Sequence, residues 1–373
     1  MRILTLTYEF PPVGGGGGRV ASELALQLEA RGHEIDVVTM RYRGLPGEES
    51  LTDRLRVHRV ASLRRRIEIC RTHEMLTYVC MALPAALRLA RRTRYDVCHA
   101  HFVLPTGIVA MALNRLTGLP YLLSAHGSDV PGYNPDRFRY LHRLTPRLIR
   151  AVTRRSMGTV VPSQFLRHLV HSCAPETAIA VIPHGIDGRK FSPATTKCRA
   201  ILVVTRMLER KGVQYLLEAL QGFDLQGFTV DLVGDGPYLE TLRSIAKQRH
   251  LNVKFWGWLD GDSRELRELY ERSAIFVMPS AAESFGLVLL DAMCAGLAVI
   301  TAHGCACEEV TGDTALLVPP RDPAAIRTAL TKLIADQQLC ANLGRMARAR
   351  AEQVFNWSTL TSRYEMLMRE GVV

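Results

Sequence analysis

The chain has 373 residues, too long for one ordinary α/β domain and about right for two. Apolar residues make up 47% of it and mean hydropathy is close to zero, so it can bury real cores and is not a disordered chain. The net charge of +11 resides wholly in residues 1–160, which hold 24 Arg, no Lys and 13 acidic residues; this favours an anionic partner, while the lack of aromatic–basic interleaving argues against nucleic acid.

Arg2–Thr7 alternates and predicts a strand, Val13–Gly18 is a glycine run, and Val20–Ala30 has helical apolar spacing stopped by Gly32-His33. Ile35–Met40 predicts a second strand, which completes a βαβ opening. Asp96–His101, Tyr121–Ala125 and Gly158–Pro162 follow as strand candidates with helices between them. The pattern restarts near residue 200. Ala200–Thr205, Thr229–Val233, Val253–Trp256, Ile275–Pro279 and Ala298–Thr301 read as strands. Val213–Leu220, Pro237–Arg249, Asp262–Arg272 and Gly286–Ala295 read as the helices between them. Asp187–Thr196, with its Gly, Ser, Pro and Thr, predicts a linker. The expected fold is α/β: two doubly wound, Rossmann-like domains, 1–190 and 191–356, facing across a cleft that is the default site.

Four stretches carry the candidate chemistry. Gly14–Gly18 lies between strand and helix, where glycines permit close approach and the helix start offers N–H groups to an anion. Gly16-x-Gly18-x-x-Ala21 satisfies a relaxed dinucleotide fingerprint. The acid that the fingerprint wants at the end of the second strand is missing, since that strand ends in Thr39-Met40. Arg206 and Lys211 fall on a loop at a strand's carboxyl end, where two cations suit a diphosphate. Glu283 precedes a helix and Asp291 follows about two turns later, near the same face, so the two acids are placed to bracket the hydroxyls of a nucleotide sugar. His126, in Ser124-Ala125-His126-Gly127-Ser128-Asp129, closes a strand and is directed into the cleft.

Metal is not expected. Asp260-Gly261-Asp262 precedes a helix, where an acid serves as a cap, and His99-x-His101 lacks nearby acids or cysteines. Nine scattered cysteines with no C-x-x-C pair argue against a disulfide framework and for a reducing compartment; Cys305-Ala306-Cys307 is the one close pair. Met1–Phe10 has no apolar run or cleavage site. The charge-free stretches Val97–Asn114 and Met75–Leu87 do not read as membrane spans, the first being broken by His99, His101 and Pro105 and the second too short for the roughly 20 residues a span needs. A cytoplasmic protein is expected. Contact with the inner face of an anionic membrane would draw on Arg64, Arg65 and Arg66.

Taken in order, the glycine loop, His126-Gly127-Ser128-Asp129, Ile182-Pro183-His184-Gly185-Ile186-Asp187, Arg206…Lys211-Gly212, Val233-Gly234-Asp235-Gly236-Pro237, Glu283-x7-Asp291 and Leu316-Leu317-Val318-Pro319-Pro320 resemble the family-four (group one) glycosyltransferases over nearly the whole chain. The resemblance implies the GT-B fold, retention of anomeric configuration, no metal or other cofactor, and a nucleotide-sugar donor of UDP or GDP type. It implies that Arg206 and Lys211 bind the donor diphosphate and that Glu283 contacts sugar hydroxyls beside Ser284, Phe285 and Gly286. By it, Asp291 binds the ribose, His126 sits at the reaction centre, Gly16 and Gly17 line the diphosphate, and Gly15 and Asp129 lie on the acceptor side. The last helix, about 357–373, is expected back on the first domain, whose arginines suit an anionic or lipid-linked acceptor such as a cell-envelope glycan. Three positions depart from the pattern: Asp291 stands for the usual Glu, His184 for the usual Asn, and Cys305-Ala306-Cys307-Glu308 for a glycine-rich turn. A sugar-nucleotide epimerase and a nicotinamide oxidoreductase are the alternatives on the same kind of fold, and a non-catalytic sugar-binding protein is a more distant one.

Overall fold

The computed structural model describes residues 1–67, 70–133, 145–192 and 197–372. The chain forms two compact units, Met1–Gly185 with Trp357–Val373, and Ile186–Asn356. They divide between Gly185 and Ile186, ahead of the expected residue 190, because Ile186 donates its N–H to Phe355 O at 2.8 Å and bridges Asn356 within the second unit.

The strands of the first unit are β1 (Arg2–Leu6), β2 (Glu34–Met40), β3 (Glu48–Ser50), β4 (Leu55–Val60), β5 (Val97–His101), β6 (Tyr121–Ser124), β7 (Thr159–Val161) and β8 (Ile179–Val181). They form one sheet in the order β3-β4-β2-β1-β5-β6-β7-β8, parallel except for β3 against β4. The connecting helices are α1 (Gly16–Ala30), α2 (Thr72–Arg92), α3 (Thr106–Thr117), α4 (Thr145–Thr153) and α5 (Gln164–Cys173). Helices cover both faces, so the central strands β5 and β6 are buried throughout, as parallel strands require. α1 buries Val20, Ala21, Leu24, Ala25 and Leu28 as one stripe at helical spacing. The glycine run does not stay a loop: Gly16 and Gly17 already form the first turn of α1, and Gly15 is its cap.

The second unit is a six-stranded parallel sheet of β9 (Ala200–Val204), β10 (Thr229–Val233), β11 (Val253–Gly257), β12 (Ile275–Met278), β13 (Ala298–Ala302) and β14 (Ala315–Val318), in the order β11-β10-β9-β12-β13-β14. Helices α6 (Val213–Ala219), α7 (Leu239–Gln248), α8 (Arg264–Arg272), α9 (Leu287–Cys294), α10 (Ala306–Thr311), α11 (Pro323–Ala335) and α12 (Gln337–Val354) surround it. Ser263, Asp322 and Asp336 start α8, α11 and α12 by accepting a backbone N–H three residues on. The last helix, α13 (Trp357–Glu370), belongs to the first unit and packs on α1; Glu365 pairs there with Arg31 and His33, each at 2.6 Å.

In each sheet the strand order reverses once, between β1 and β5 and between β9 and β12. Loops leaving the carboxyl ends of those strands splay apart and leave room for a ligand.

Candidate functional site

In the second unit the loops at the reversal are residues 205–212, after β9, and 279–286, after β12. A single 3-10 turn, Glu209–Lys211, carries Lys211 inward to 8% exposure, and Gly212 closes the turn at φ 76°. A Cβ on Gly212 would collide with the Pro279 carbonyl oxygen, so glycine alone lets the two loops meet. Lys211 Nζ then pairs with Glu283 Oε1 from the other loop, both side chains 9% exposed. Arg206, on the same loop as Lys211, stays exposed and has no partner among the described residues. Ser284 is half-buried, Phe285 packs edge-on against Phe355 with ring centres 5.7 Å apart, and Gly286 turns the chain into α9 at φ 94°.

Glu283 therefore lies in the loop just ahead of α9, before the helix as the sequence predicts. Asp291 sits in the second turn of α9, buried, with Lys190 Nζ 3.6 Å from its Oδ1. The same ammonium lies 3.6 Å from Asp262 Oδ1. Lys190 is a residue that sequence reasoning missed, because it falls in the stretch read as a linker. Asp260 accepts the Asp262 N–H at 2.9 Å, which makes the acidic pair a turn ahead of α8. Among the described residues, no group of three or more His, Cys, Asp or Glu is placed to hold a metal ion.

In the first unit, His99, His101, His126 and His184 form one buried column. His101 and His126 stack at 5.3 Å with His101 Nδ1 3.1 Å from His126 Nε2, His126 and His184 stack at 5.6 Å, and His99 Nε2 lies 2.8 Å from Ser124 Oγ. Burial drives all four below the usual imidazole range, His99 and His126 to about 3, so the column is neutral at physiological pH. Phe102, at φ 72°, packs at 4.6 Å against His126 and occupies the space into which a Cβ on Gly17 would project. A positive φ on a bulky residue costs on the order of 1–3 kcal/mol and marks an over-determined site. Asp129 is wholly engaged in building the loop: one oxygen accepts the His126 N–H at 3.0 Å, the other the Val103 N–H at 2.7 Å. Burial raises its pKa, and those backbone donors oppose the rise.

Residues 14–190 match the family described as Glycosyltransferase Family 4, and residues 187–350 match Glycosyl transferases group 1. The chain is 28% identical to a glycogen synthase of Mycobacterium tuberculosis, covering 97% of this chain and 93% of that one. It is 27% identical to an N-acetyl-alpha-D-glucosaminyl L-malate synthase of Bacillus anthracis, covering 95% and 94%. Among solved structures, a sucrose-phosphate synthase of Thermosynechococcus elongatus superposes with a TM-score of 0.85 at 21% identity, over 99% of this chain and 98% of that one. The chain belongs to the family-four, group 1 glycosyltransferases.

The paired parallel α/β units of this glycosyltransferase are the GT-B fold. Within each unit, the residues singled out by sequence gather at the strand reversal: Gly15, Gly16, Gly17, His126 and Asp129 in the first, Arg206, Lys211, Glu283, Ser284, Phe285 and Gly286 in the second. Asp291 stands one helical turn further in. Arg64 departs from expectation: it is 4% exposed, its guanidinium donating to the carbonyls of Arg66 and Ile67 at 3.0 and 2.7 Å, so it is a structural post and not a surface contact. Cys305 and Cys307 are buried at the start of α10. Their mutual hydrogen bond lowers the Cys305 pKa and burial raises that of Cys307, while the intervening Ala306 N–H steadies the Glu283 carbonyl at 3.3 Å. Among the described residues, no helix of the enzyme is long and apolar enough to cross a membrane.

Proposed function

We propose that this glycosyltransferase transfers a sugar from a nucleotide diphosphate donor of UDP or GDP type to an anionic or lipid-linked acceptor, with retention and without a metal. The observation that carries the reading is the buried Lys211–Glu283 pair beside the exposed Arg206 at the β9–β12 reversal. A diphosphate arriving there meets a guanidinium fork and a mobile ammonium, while the Glu283 carboxylate accepts hydrogen bonds from sugar hydroxyls. Asp291 and Lys190 take the ribose end. As the bond from the anomeric carbon to the diphosphate breaks, the two cations stabilise the departing charge. The acceptor oxygen attacks on the same face and its proton passes to a phosphate oxygen, so no enzyme nucleophile is required. His126, held neutral by burial, offers a hydrogen bond without placing a positive charge beside the electron-poor sugar.

The first unit supports the anionic acceptor. It carries 27 Arg and 16 acidic residues, whereas the second unit balances. The Bacillus relative is named for an acceptor, L-malate, that is itself an anion. We place the enzyme in the cytoplasm, at the inner face of the membrane when its acceptor is a lipid.

Calorimetry with UDP, GDP and ADP sugars tests the donor: one of the UDP or GDP sugars should bind most tightly, and a preference for none overturns the assignment. Proton NMR of the product should show the donor's anomeric configuration; inversion refutes the front-face mechanism. EDTA should leave turnover unchanged, and loss restored by magnesium or manganese would show that the reaction needs a metal.

A further inference from the structure

A pocket of about 460 Å³ lies at the carboxyl ends of β2 and β4, walled by Arg41, Tyr42, Arg43, Leu63, Arg64 and Arg65, and among the described residues no Asp or Glu lines it. Two short segments, 41–45 and 61–65, form its walls and are stitched together: the Arg41 N–H donates to Val60 O at 2.8 Å, and the Ser62 hydroxyl donates to Arg41 O at 2.8 Å. Arg43 and Arg65 are exposed, and their guanidinium groups have no partner among the described residues. Arg64 is the buried cation of the set. Among the described residues the carboxylate paired with it is Glu9, 3.9 Å away, which also accepts the Gly15 N–H at 3.1 Å, so the arginine's charge is only partly offset. Arg64 Nη1 reaches Tyr8 O at 3.4 Å, and Gly14 donates its N–H to Ile67 O at 2.9 Å. These bonds tie the pocket directly to the glycine loop after β1.

We propose that this pocket binds a phosphomonoester on the acceptor, an inference that rests on the anionic-acceptor reading above. Three exposed arginines, Arg41, Arg43 and Arg65, border the concavity, while Arg64, its guanidinium turned inward onto backbone carbonyls, adds its charge to the field there. A phosphomonoester brings three acceptor oxygens and a charge of about −1.5 to −2 at neutral pH, and arginine forks match that geometry. The tie to the glycine loop sets the phosphoryl group beside α1, leaving the acceptor's hydroxyl end to reach the histidine column across β1 and β5.

The test uses the full chain, an Arg43→Gln/Arg65→Gln variant, and an Arg91→Gln/Arg92→Gln control. The control removes two exposed arginines from the end of α2, outside the pocket. Two probes separate the sources of the phosphoryl group: glycerol 3-phosphate in solution, followed by phosphorus NMR, and vesicles of phosphatidic acid in phosphatidylcholine, followed by sedimentation. The proposal expects the Arg43/Arg65 variant to bind at least one probe tenfold more weakly than the parent, with the control within twofold. A defect with glycerol 3-phosphate assigns a soluble acceptor, and a defect confined to vesicles assigns a lipid one. Equal loss in variant and control means a diffuse surface field and overturns the site, as does binding unchanged by the pocket substitutions. Donor binding, measured in parallel by calorimetry, should be the same in all three proteins. A parent that binds no nucleotide sugar refutes the transferase reading while leaving the phosphomonoester result to stand by itself.

Discussion

The two units keep polar groups inside a parallel α/β sheet with different side chains, the first with arginine and histidine, the second with lysine–carboxylate pairs beside its strand reversal. The first contains 27 Arg and no Lys, and its innermost polar column is four neutral histidines. The second holds all six Lys of the chain and keeps its inner charges as ion pairs, Lys211 with Glu283 and Lys190 with Asp291. Its two histidines, His250 and His303, are exposed. Under the proposed function the contrast follows from what each contact demands. A compact, flexible ammonium can stay paired with a carboxylate and still turn toward a diphosphate. Neutral rings can line a reacting sugar without adding charge.

The sharpest way to break this comparison is to unpair one ion. Lys211→Ala should cost roughly 3–5 kcal/mol of stability, because it strands the buried Glu283 charge, and should lower transfer at least tenfold. A Lys211→Met/Glu283→Leu double variant should recover most of the stability in urea denaturation and none of the transfer. If the double variant also recovers turnover, the pair is structural only. Glu283→Gln should fall between, since the amide keeps a hydrogen bond to Lys211.

Acid should separate the units next. His99 and His126 have folded pKa values of about 3, below the ordinary 6.5, so the unfolded chain binds more protons. Their contribution is complete above pH 6.5 and is lost as pH falls from there toward 3. At pH 5 each costs on the order of 2 kcal/mol relative to pH 7. Hydrogen exchange, normalised for intrinsic rate, should show the first unit losing protection before the second. Simultaneous loss would mean that the column relaxes and takes up protons without unfolding.

The smallest effect is at the ribose end. Asp291→Ala should raise the donor dissociation constant by about tenfold, near 1.4 kcal/mol. Asp262→Ala, which removes the exposed partner of the same Lys190, should leave it within twofold. Equal effects would move the ribose contact from Asp291 to Lys190.

Much of this organisation was legible in the sequence, for reasons of periodicity. Buried strands such as Ala200–Val204 and Ile275–Met278 are short apolar runs, and the glycines before α1 and α6 punctuate them. What could not be read was pairing across distance. Lys211 and Glu283 are 72 residues apart in the chain, so each reads alone as a loop charge. The histidine column combines residues from β5, the β6 loop and the end of the first unit's main segment, which no local pattern announces. β4, Leu55–Val60, carries an exposed Arg56, a half-buried His58 and a buried Arg59, and these polar residues hid an interior strand. Arg64 shows the converse. It stands in a run of three arginines that reads as solvated surface, and only the inward-facing carbonyls of Tyr8, Arg66 and Ile67 make the buried guanidinium tenable.

The return of α13 to α1 has a consequence for synthesis on the ribosome. The second unit lies between the two pieces of the first, and Ile186 and Asn356 meet as neighbours at its base, so it can close as soon as residues 186–356 have emerged. The first unit is begun earlier yet completed later: Arg31 and His33 wait for Glu365, and the Trp357 ring, which packs against Gly185, arrives only then. Nascent chains stalled before residue 357 should therefore carry a protease-resistant second unit beside a first unit whose α1 face is still uncovered and open to chaperone binding.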